Sequence, residues 1–292
     1  MNNALIVMNN DFATPETDGM IARSKRFLIN AYADAPALSA LTIFMLFMMM
    51  PKLGAMLVDT RLHNGVNIWI KPVRFDVALI IYTATLVYFA RWIPNSTRAK
   101  TWFKLFTATV IACIVFEQVW IGGAAAFGTA SHFNVGTPLM GLAYSIAGFG
   151  AVTLTSAALV FGILIARNKE TRLSEPMHLA IWLSAILMFV FTVITASYMA
   201  AQTSHFVGGN MLDVESYPIM GWATDGGDLR VAHFFASHYF HALPLFVLAA
   251  SYFFKSVKRS MVLGFAALYG VFTFYTLWEA TRGLPFLHGI IG

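Results

Sequence analysis

The stretch Met177–Ala201 reads MHLAIWLSAILMFVFTVITASYMAA and contains no Asp, Glu, Lys or Arg. About 20 mostly apolar residues in a helix are enough to cross the hydrocarbon core of a bilayer. The apolar residues follow one another without the period-two alternation that marks a strand of an outer-membrane barrel. The stretch therefore predicts a membrane-spanning α-helix.

Six further stretches have the same character, so the sequence predicts an all-α, seven-transmembrane helix bundle whose partner is the lipid bilayer. The predicted spans are Ala35–Val58, Val77–Ile93, Phe103–Phe127, Pro138–Ala166, Met177–Ala201, Val231–Phe254 and Val262–Thr281. The last span contains no lysine, which excludes a retinal Schiff base of the rhodopsin kind in that helix.

The composition excludes a soluble protein. The chain has 292 residues, of which 58% are hydrophobic and only 11% charged, whereas a soluble domain carries about 25% charged residues. The net charge of +5 does not indicate nucleic-acid binding, because the basic residues lie in short connections between apolar runs. Cys113 is the single cysteine, so neither an intrachain disulfide nor a cysteine-based metal cluster is expected.

Outside the spans the chain divides into short segments. Residues 1–34 form a polar N-terminal segment without the apolar core of a cleavable signal peptide. Within it, Met20–Ala33 is either a basic amphipathic helix on the cytoplasmic surface or an irregular lead-in. The membrane domain covers 35–285, with a Gly-rich and acidic outer loop at 202–230, and 286–292 form a short outer tail.

Lys and Arg are distributed unevenly between the two sets of connections. With a cytoplasmic N-terminus, the inner segments hold thirteen of them and the outer segments five, with Lys52 near the end of the first span left uncounted. The inner residues are Arg23, Lys25, Arg26, Arg91, Arg98, Lys100, Lys104, Arg167, Lys169, Arg172, Lys255, Lys258 and Arg259. Because cytoplasmic loops carry the excess of basic residues, we expect a periplasmic C-terminus and a multi-pass protein of the bacterial inner membrane.

Several polar residues fall at the predicted outer ends of the spans. They are Lys71 and Arg74 before the second span, His132 in the motif SHFN, Arg230 and His233 at the sixth span, and Glu279 with Arg282 at the seventh. The four cations Lys71, Arg74, Arg230 and Arg282 are candidate ligands for an anionic substrate, although interface residues of this kind also contact lipid headgroups. Gly226-Gly227 predicts a tight turn, and Asp228 predicts an N-cap for the sixth span.

Three ionisable residues lie at mid-depth in the predicted spans: Glu117 in the third, and His238 and His241 in the sixth. An ionised carboxylate at this depth costs several kcal/mol, so Glu117 must be protonated, paired or exposed to a wet cavity. Such residues are either functional or hydrogen-bonded to a neighbouring helix as packing contacts.

Two kinds of cofactor are compatible with these residues. His238 and His241 are three apart on one helix face, so they could hold a transition metal together with Glu117. A metal nearer the surface could instead be held by His233 with His132. A haem b near the outer end would need two axial histidines, which His132 or His205 could provide together with His233. The candidate cofactor-binding residues are therefore His132, His233, His238 and Glu117.

The motifs IKPVRFD, SHFN and GWATDGGDLRVAHF, with His238 before Leu243-Pro244 and a closing RGLP, resemble a widespread family of uncharacterised bacterial polytopic membrane proteins. The resemblance runs from about Asn67 to Pro285 and implies a shared fold and site location, without an activity. The matching residues are Lys71, Ser131, His132, Asn134, Asp228, Arg230, His233, His238 and Arg282. His241 stands where the family is expected to have Gln, and Phe127-Gly128 where it has Arg-Gly.

These residues support more than one function. The first hypothesis is a membrane oxidoreductase with a haem or metal at a polar pocket toward the periplasm. The second is a cofactor-free carrier or channel in which the same residues relay protons or bind a small anion. A structural subunit of a membrane complex and a membrane zinc hydrolase are further alternatives, and the sequence does not indicate an oligomeric state.

Overall fold

The computed structural model describes residues 19–63, 65–209, 216–217 and 220–288 of the chain. In chain order, the helices of this described part are α1 Met20–Asp34, α2 Pro36–Val58, α3 Ile70–Ala90, α4 Asn95–Arg98, α5 Thr101–Ala126, α6 Pro138–Arg167, α7 Glu175–Gln202, α8 Leu229–Phe253 and α9 Arg259–Thr281. Two short antiparallel strand pairs accompany them, β1 Leu62–His63 with β2 Val66–Asn67 and β3 Phe206–Val207 with β4 Gly227–Asp228.

Seven of these helices, α2, α3 and α5 to α9, are long and apolar enough to cross a membrane, which confirms the predicted seven-helix bundle. The largest difference is at α3, which begins at Ile70 rather than at the predicted Val77. Lys71 and Asp76 can join this helix because each has a polar partner inside the protein. The stretch predicted as a possible amphipathic helix forms α1, whereas residues 1–18 and 289–292 lie outside the described part.

Both the inside and the outside of the bundle are apolar, as a protein solvated by lipid requires. Leu86, Phe240 and Leu243 are fully buried, while Phe149 on α6 and Leu268 on α9 expose more than two thirds of their surface. Neighbouring helices approach closely at small residues. A side chain at Gly162 of α6 would lie 2.9 Å from Ala185 of α7, so only glycine permits this approach.

Contacts between connections define two ends of the bundle. At one, which we call the basic end, Arg98 contacts Asp34 of α1 and Asn168 donates to the Trp92 carbonyl at 2.8 Å. At the other, which we call the polar end, Arg61 after α2 lies beside Gly128, Phe133 packs on His205 after α7, and Trp222 packs on Phe286 after α9. Which end faces the cytoplasm stays a prediction from the distribution of Lys and Arg.

The strand pair β3–β4 attaches the α7–α8 connection to the bundle. Gly227 packs so closely on α9 that a Cβ there would lie 2.1 Å from the Ala280 carbonyl oxygen. The chain bends at 224–226, directly before β4. Neither Gly226 nor Gly227 has a positive φ, so the reason for glycine here is close packing rather than backbone conformation. The predicted N-cap is confirmed, because the Asp228 side chain accepts a hydrogen bond from the Arg230 amide at 3.0 Å.

Candidate functional site

The SHFN motif forms a fixed loop at the polar end. The Trp120 indole of α5 donates to the Ser131 carbonyl at 2.7 Å, and the Asn134 amide donates to the Ala130 carbonyl at 3.1 Å. Phe133 adopts a left-handed backbone with φ 58° and packs its ring against that of His205, with 4.8 Å between centroids. These contacts hold the intervening His132 in one position.

Lys71, in the first turn of α3, contacts His132. Its ammonium nitrogen lies 3.3 Å from His132 Nδ1, and the Ser131 hydroxyl lies 3.1 Å from the same nitrogen. A lysine ammonium can only donate a hydrogen bond, so these partners assign the Nδ1 lone pair as the acceptor. The neutral ring then carries its proton on Nε2, which is left to donate to another group.

Burial of the His132 ring lowers its pKa to about 3, and the charges of Lys71 and His233 act in the same direction. Burial also lowers the pKa of His205 well below its usual value, with further contributions from Lys71, Arg230, His132 and His233. These interactions show that two cations and three histidines share one electrostatic environment. Burial keeps the two loop histidines neutral near pH 7, so Lys71 and Arg230 carry the positive charge.

His233 on α8 presents the opposite tautomer. Its Nδ1 lies 3.1 Å from the Thr195 hydroxyl of α7, and that hydroxyl donates to the Phe191 carbonyl at 3.0 Å. Since the hydroxyl has only one hydrogen, it accepts from His233 Nδ1–H. His233 Nε2 therefore offers a lone pair, whereas His132 Nε2 offers a proton.

Arg230 forms a close ion pair with Asp228. Its guanidinium donates to both Asp228 oxygens, the shortest distance being 2.5 Å, and to the Gly221 carbonyl at 2.6 Å. It also stacks on the Phe206 ring at 4.9 Å. Asp228 is 1% exposed, so this pair is a structural part of the polar end, and the Arg230 charge is partly balanced. Lys71 has no carboxylate within ion-pair distance among the residues that the structure describes.

Of the other two predicted anion ligands, Arg74 lies near Arg230, since both side chains reach Gly221, whereas Arg282 has different contacts. Arg74 is exposed and approaches Gly221, where a Cβ would lie 2.9 Å from its guanidinium. Arg282 is exposed and stacks on the Trp278 ring at 5.0 Å. Its predicted neighbour Glu279 is buried and accepts a hydrogen bond from the Leu287 amide at 3.1 Å.

Glu117 is buried in α5, about 14 Å from the end of that helix. It is 3% exposed, and neither of its oxygens has a hydrogen-bond partner in the described part of the chain. The charge of Lys71 acts on it. Gly150 of α6 leaves room beside it, since a Cβ there would still be 3.9 Å from Glu117 Oε1. Lys71 therefore contacts the loop histidine directly, whereas it acts on the intramembrane carboxyl through its charge and without a hydrogen bond.

His238 and His241 are oriented by separate contacts. His238 Nδ1 donates to the Phe234 carbonyl at 2.7 Å, and its ring stacks on that of Phe234. His241 Nε2 lies 2.9 Å from the Thr85 hydroxyl of α3. The two rings are 6.0 Å apart, and no three His, Cys, Asp or Glu side chains of the described residues converge as metal ligands. The structure therefore does not bring His238, His241 and Glu117 together.

A buried ion pair joins α2, α3 and α5, and sequence reasoning missed it. The Lys52 ammonium donates to Asp76 Oδ1 at 2.7 Å and to Gln118 Oε1 at 2.8 Å. Lys52 lies six residues before the end of α2, and Asp76 six residues after the start of α3. Opposite charges at equal depth on consecutive antiparallel spans are the signal that would have identified this pair.

Comparisons of the chain with protein-family models, curated proteins and solved structures found no match.

Proposed function

We propose that this protein is a proton-coupled membrane carrier of a small anionic solute. The observation that supports the proposal is the position of Lys71, which contacts His132 Nδ1 at 3.3 Å and also acts electrostatically on the buried Glu117. One cation therefore contacts a loop histidine at the polar end and acts through its charge on a carboxyl inside the membrane domain.

The anion would bind at the polar end. Lys71 and Arg230 supply positive charge there, and His132 Nε2–H supplies a neutral donor. Charge-assisted hydrogen bonds of this kind are about twice as strong as neutral ones. The His233 Nε2 lone pair, left free by the Nδ1–Thr195 contact, would accept a hydrogen bond from the hydroxyl of a protonated anion. The site thus combines donors for the anionic oxygens with an acceptor for an acidic proton.

Glu117 would carry the coupled proton. A buried carboxyl without hydrogen bonds is strongly destabilised when ionised and much less so when protonated. The charge of Lys71 lowers the free-energy cost of the ionised form. When an anion binds at Lys71 it neutralises the lysine charge, which favours protonation of Glu117. Anion binding and proton uptake are then linked through one side chain.

The test is proton flux in liposomes that contain the purified protein and an internal pH dye. Inward gradients of inorganic phosphate, sulfate and succinate are imposed in turn. We expect at least one of them to change the internal pH faster than in protein-free liposomes, and Lys71→Gln to abolish the difference. Lys104→Gln, which changes an exposed lysine at the basic end, serves as the matched control. A wild-type protein that moves no protons under any of the three gradients would contradict the proposal.

A second candidate is a membrane oxidoreductase that holds one haem between His233 and His205. The supporting observation is the His233 tautomer, because a ligating histidine usually donates its other ring N–H to a neighbouring acceptor, as His233 does to Thr195. His205 Nδ1 is buried without a hydrogen-bond partner among the described residues. An optical spectrum of the purified protein tests this candidate: a haem absorption band lost in His233→Ala supports it, and a colourless, iron-free protein excludes it.

A further inference from the structure

A cleft opens on the side of the bundle between α2 and α5. Its volume is about 290 Å³, and its lining includes Met48, Pro51, Lys52, Trp69, Gln118 and Gly123. Lys52 lies about 9 Å from the end of α2, so this depth is within the hydrocarbon layer rather than at the headgroups. The cleft uses none of the residues that form the proposed anion site.

The concave shape follows from two glycines on α5. The stem of Lys52 lies over Gly122, where a Cβ would be 3.5 Å from Lys52 Cε. At Gly123 a Cβ would meet nothing within 4 Å, so this position faces open space. Pro51 and Met48 of α2 form the opposite wall. Molecules that enter the cleft therefore meet a concave and largely apolar space.

The inner wall of the cleft is polar. Lys52 has three ammonium hydrogens, and it uses two of them on Asp76 and Gln118. The side chain is 13% exposed, and it lines the cleft, so the third hydrogen is available to a ligand there. In hydrocarbon surroundings an unused donor is costly, which favours a ligand that brings an acceptor oxygen.

We propose that this cleft binds a flat, apolar molecule with a carbonyl acceptor, of the quinone class, which enters sideways from the bilayer. The volume lies at the lower limit for small-molecule pockets and suits one ring better than a phospholipid with two chains. A lipid phosphate lies at the level of the helix ends and does not reach Lys52 at this depth. This inference is independent of the proposed transport function.

The test measures how decyl-benzoquinone quenches the fluorescence of Trp69 in nanodiscs. The Trp69 contribution is the part of the protein fluorescence that is lost in Trp69→Phe. We expect saturable quenching in the wild-type protein, weaker binding in Gly123→Ala and at least tenfold weaker binding in Gly123→Leu, because these side chains fill the cleft. Gly148→Leu on α6, another helical glycine with open space around it, is the matched control and keeps wild-type affinity.

Two results would overturn the inference. The first is quenching that rises without saturation in the wild-type protein, or saturates equally in Gly123→Leu and Gly148→Leu. The second comes from nanodiscs whose phospholipid carries bromine on the acyl chain. If bromine quenches Trp69 in the wild-type protein but not in Gly123→Leu, and quinone adds no saturable quenching, bulk lipid occupies the cleft. Thermal unfolding of each variant identifies any that fail to fold, in which case the Gly123→Ala result decides.

Discussion

Lys71 and His132 are 61 residues apart in sequence, and the Lys71 ammonium lies 3.3 Å from His132 Nδ1. This contact joins the first turn of α3 to the SHFN loop. It also fixes the tautomer of His132, because the lysine donates to Nδ1 and the ring proton then lies on Nε2, at the polar end. A proton on His132 Nδ1 would break the contact and place two cations side by side.

The first prediction concerns the pH dependence of stability. Burial and the charge of Lys71 hold the His132 pKa at about 3, against about 6.5 in an unfolded chain. Between these values the unfolded state binds a proton that the folded state does not, so the free energy of unfolding falls as the pH is lowered from about 6.5. We expect His132→Gln to flatten this dependence between about pH 4 and 6, as measured by thermal unfolding in detergent.

The matched control for this measurement is His63→Gln, since His63 is exposed on the β1–β2 hairpin. That variant is expected to keep the wild-type slope. An unchanged slope in His132→Gln would show that His132 is not held neutral in the folded protein.

The second prediction concerns the ion pair between Lys52 and Asp76. Asp76 is 1% exposed, and removal of one partner of a buried pair leaves an uncompensated charge that costs about 3–5 kcal/mol. We expect Lys52→Met alone to destabilise the protein by this amount, and the double variant Lys52→Met with Asp76→Leu to recover most of the loss. Unfolding in a detergent titration measures both.

The exposed pair Arg259–Glu175, 3.5 Å apart at the basic end, provides the comparison. Arg259→Met should cost about 0–1 kcal/mol, because exposed ion pairs contribute little. A loss in Lys52→Met no larger than that in Arg259→Met would contradict the buried pair.

The third prediction concerns the packing of β4 on α9. A methyl group at Gly227 would lie 2.1 Å from the backbone oxygen of Ala280, so Gly227→Ala must displace backbone. Overpacking of this kind costs about 1–3 kcal/mol. Gly141→Ala is the matched control on α6, where nothing lies within 4 Å and a helical alanine gains about 0.5–1 kcal/mol. Equal unfolding temperatures for the two variants would rule out the close contact.

The fourth prediction separates the two roles of Asp228. Its side chain caps α8 and also binds the Arg230 guanidinium. Asp228→Asn keeps a cap but loses the ionic bond and, at the second oxygen, the hydrogen bond from the Ala223 amide. Asp228→Ala loses the cap as well, and loss of a cap alone costs about 1 kcal/mol. We expect thermal stability to decrease from wild type through Asn to Ala. An alanine variant as stable as the asparagine variant would mean that the cap contributes nothing.

The sequence predicted the helices well because long apolar runs identify spans without any tertiary information. It placed the start of α3 seven residues late, since Lys71 and Asp76 are charged and only their partners on other segments allow them to be helical and enclosed. The motif residues His132, Arg230 and His233 were predicted at one end, and the structure places them there. The tautomers of His132 and His233 depend on Ser131 and Thr195, and the position of Arg230 depends on the Gly221 carbonyl. No spacing rule in the sequence indicates these contacts.

The cleft and the role of Lys52 also could not be predicted from the sequence. Lys52 near the end of a span resembles an ordinary interface lysine whose charge reaches the headgroups. Its pairing with Asp76 becomes visible only when α2, α3 and α5 are packed together. Gly122 likewise matters only because Lys52 lies over it, and Gly123 only because the space beside it is open.

The central claim is that an anion at Lys71 is coupled to a proton at Glu117, and the most direct test measures both fluxes together. Anion uptake and internal pH are recorded simultaneously in liposomes that contain wild-type protein, Glu117→Gln or the control Glu175→Gln, which changes an exposed carboxylate at the basic end. We predict that Glu117→Gln abolishes proton uptake while a separate equilibrium measurement still detects anion binding at the polar end, and that Glu175→Gln behaves as wild type. Proton uptake by Glu117→Gln at the wild-type rate would contradict the claim.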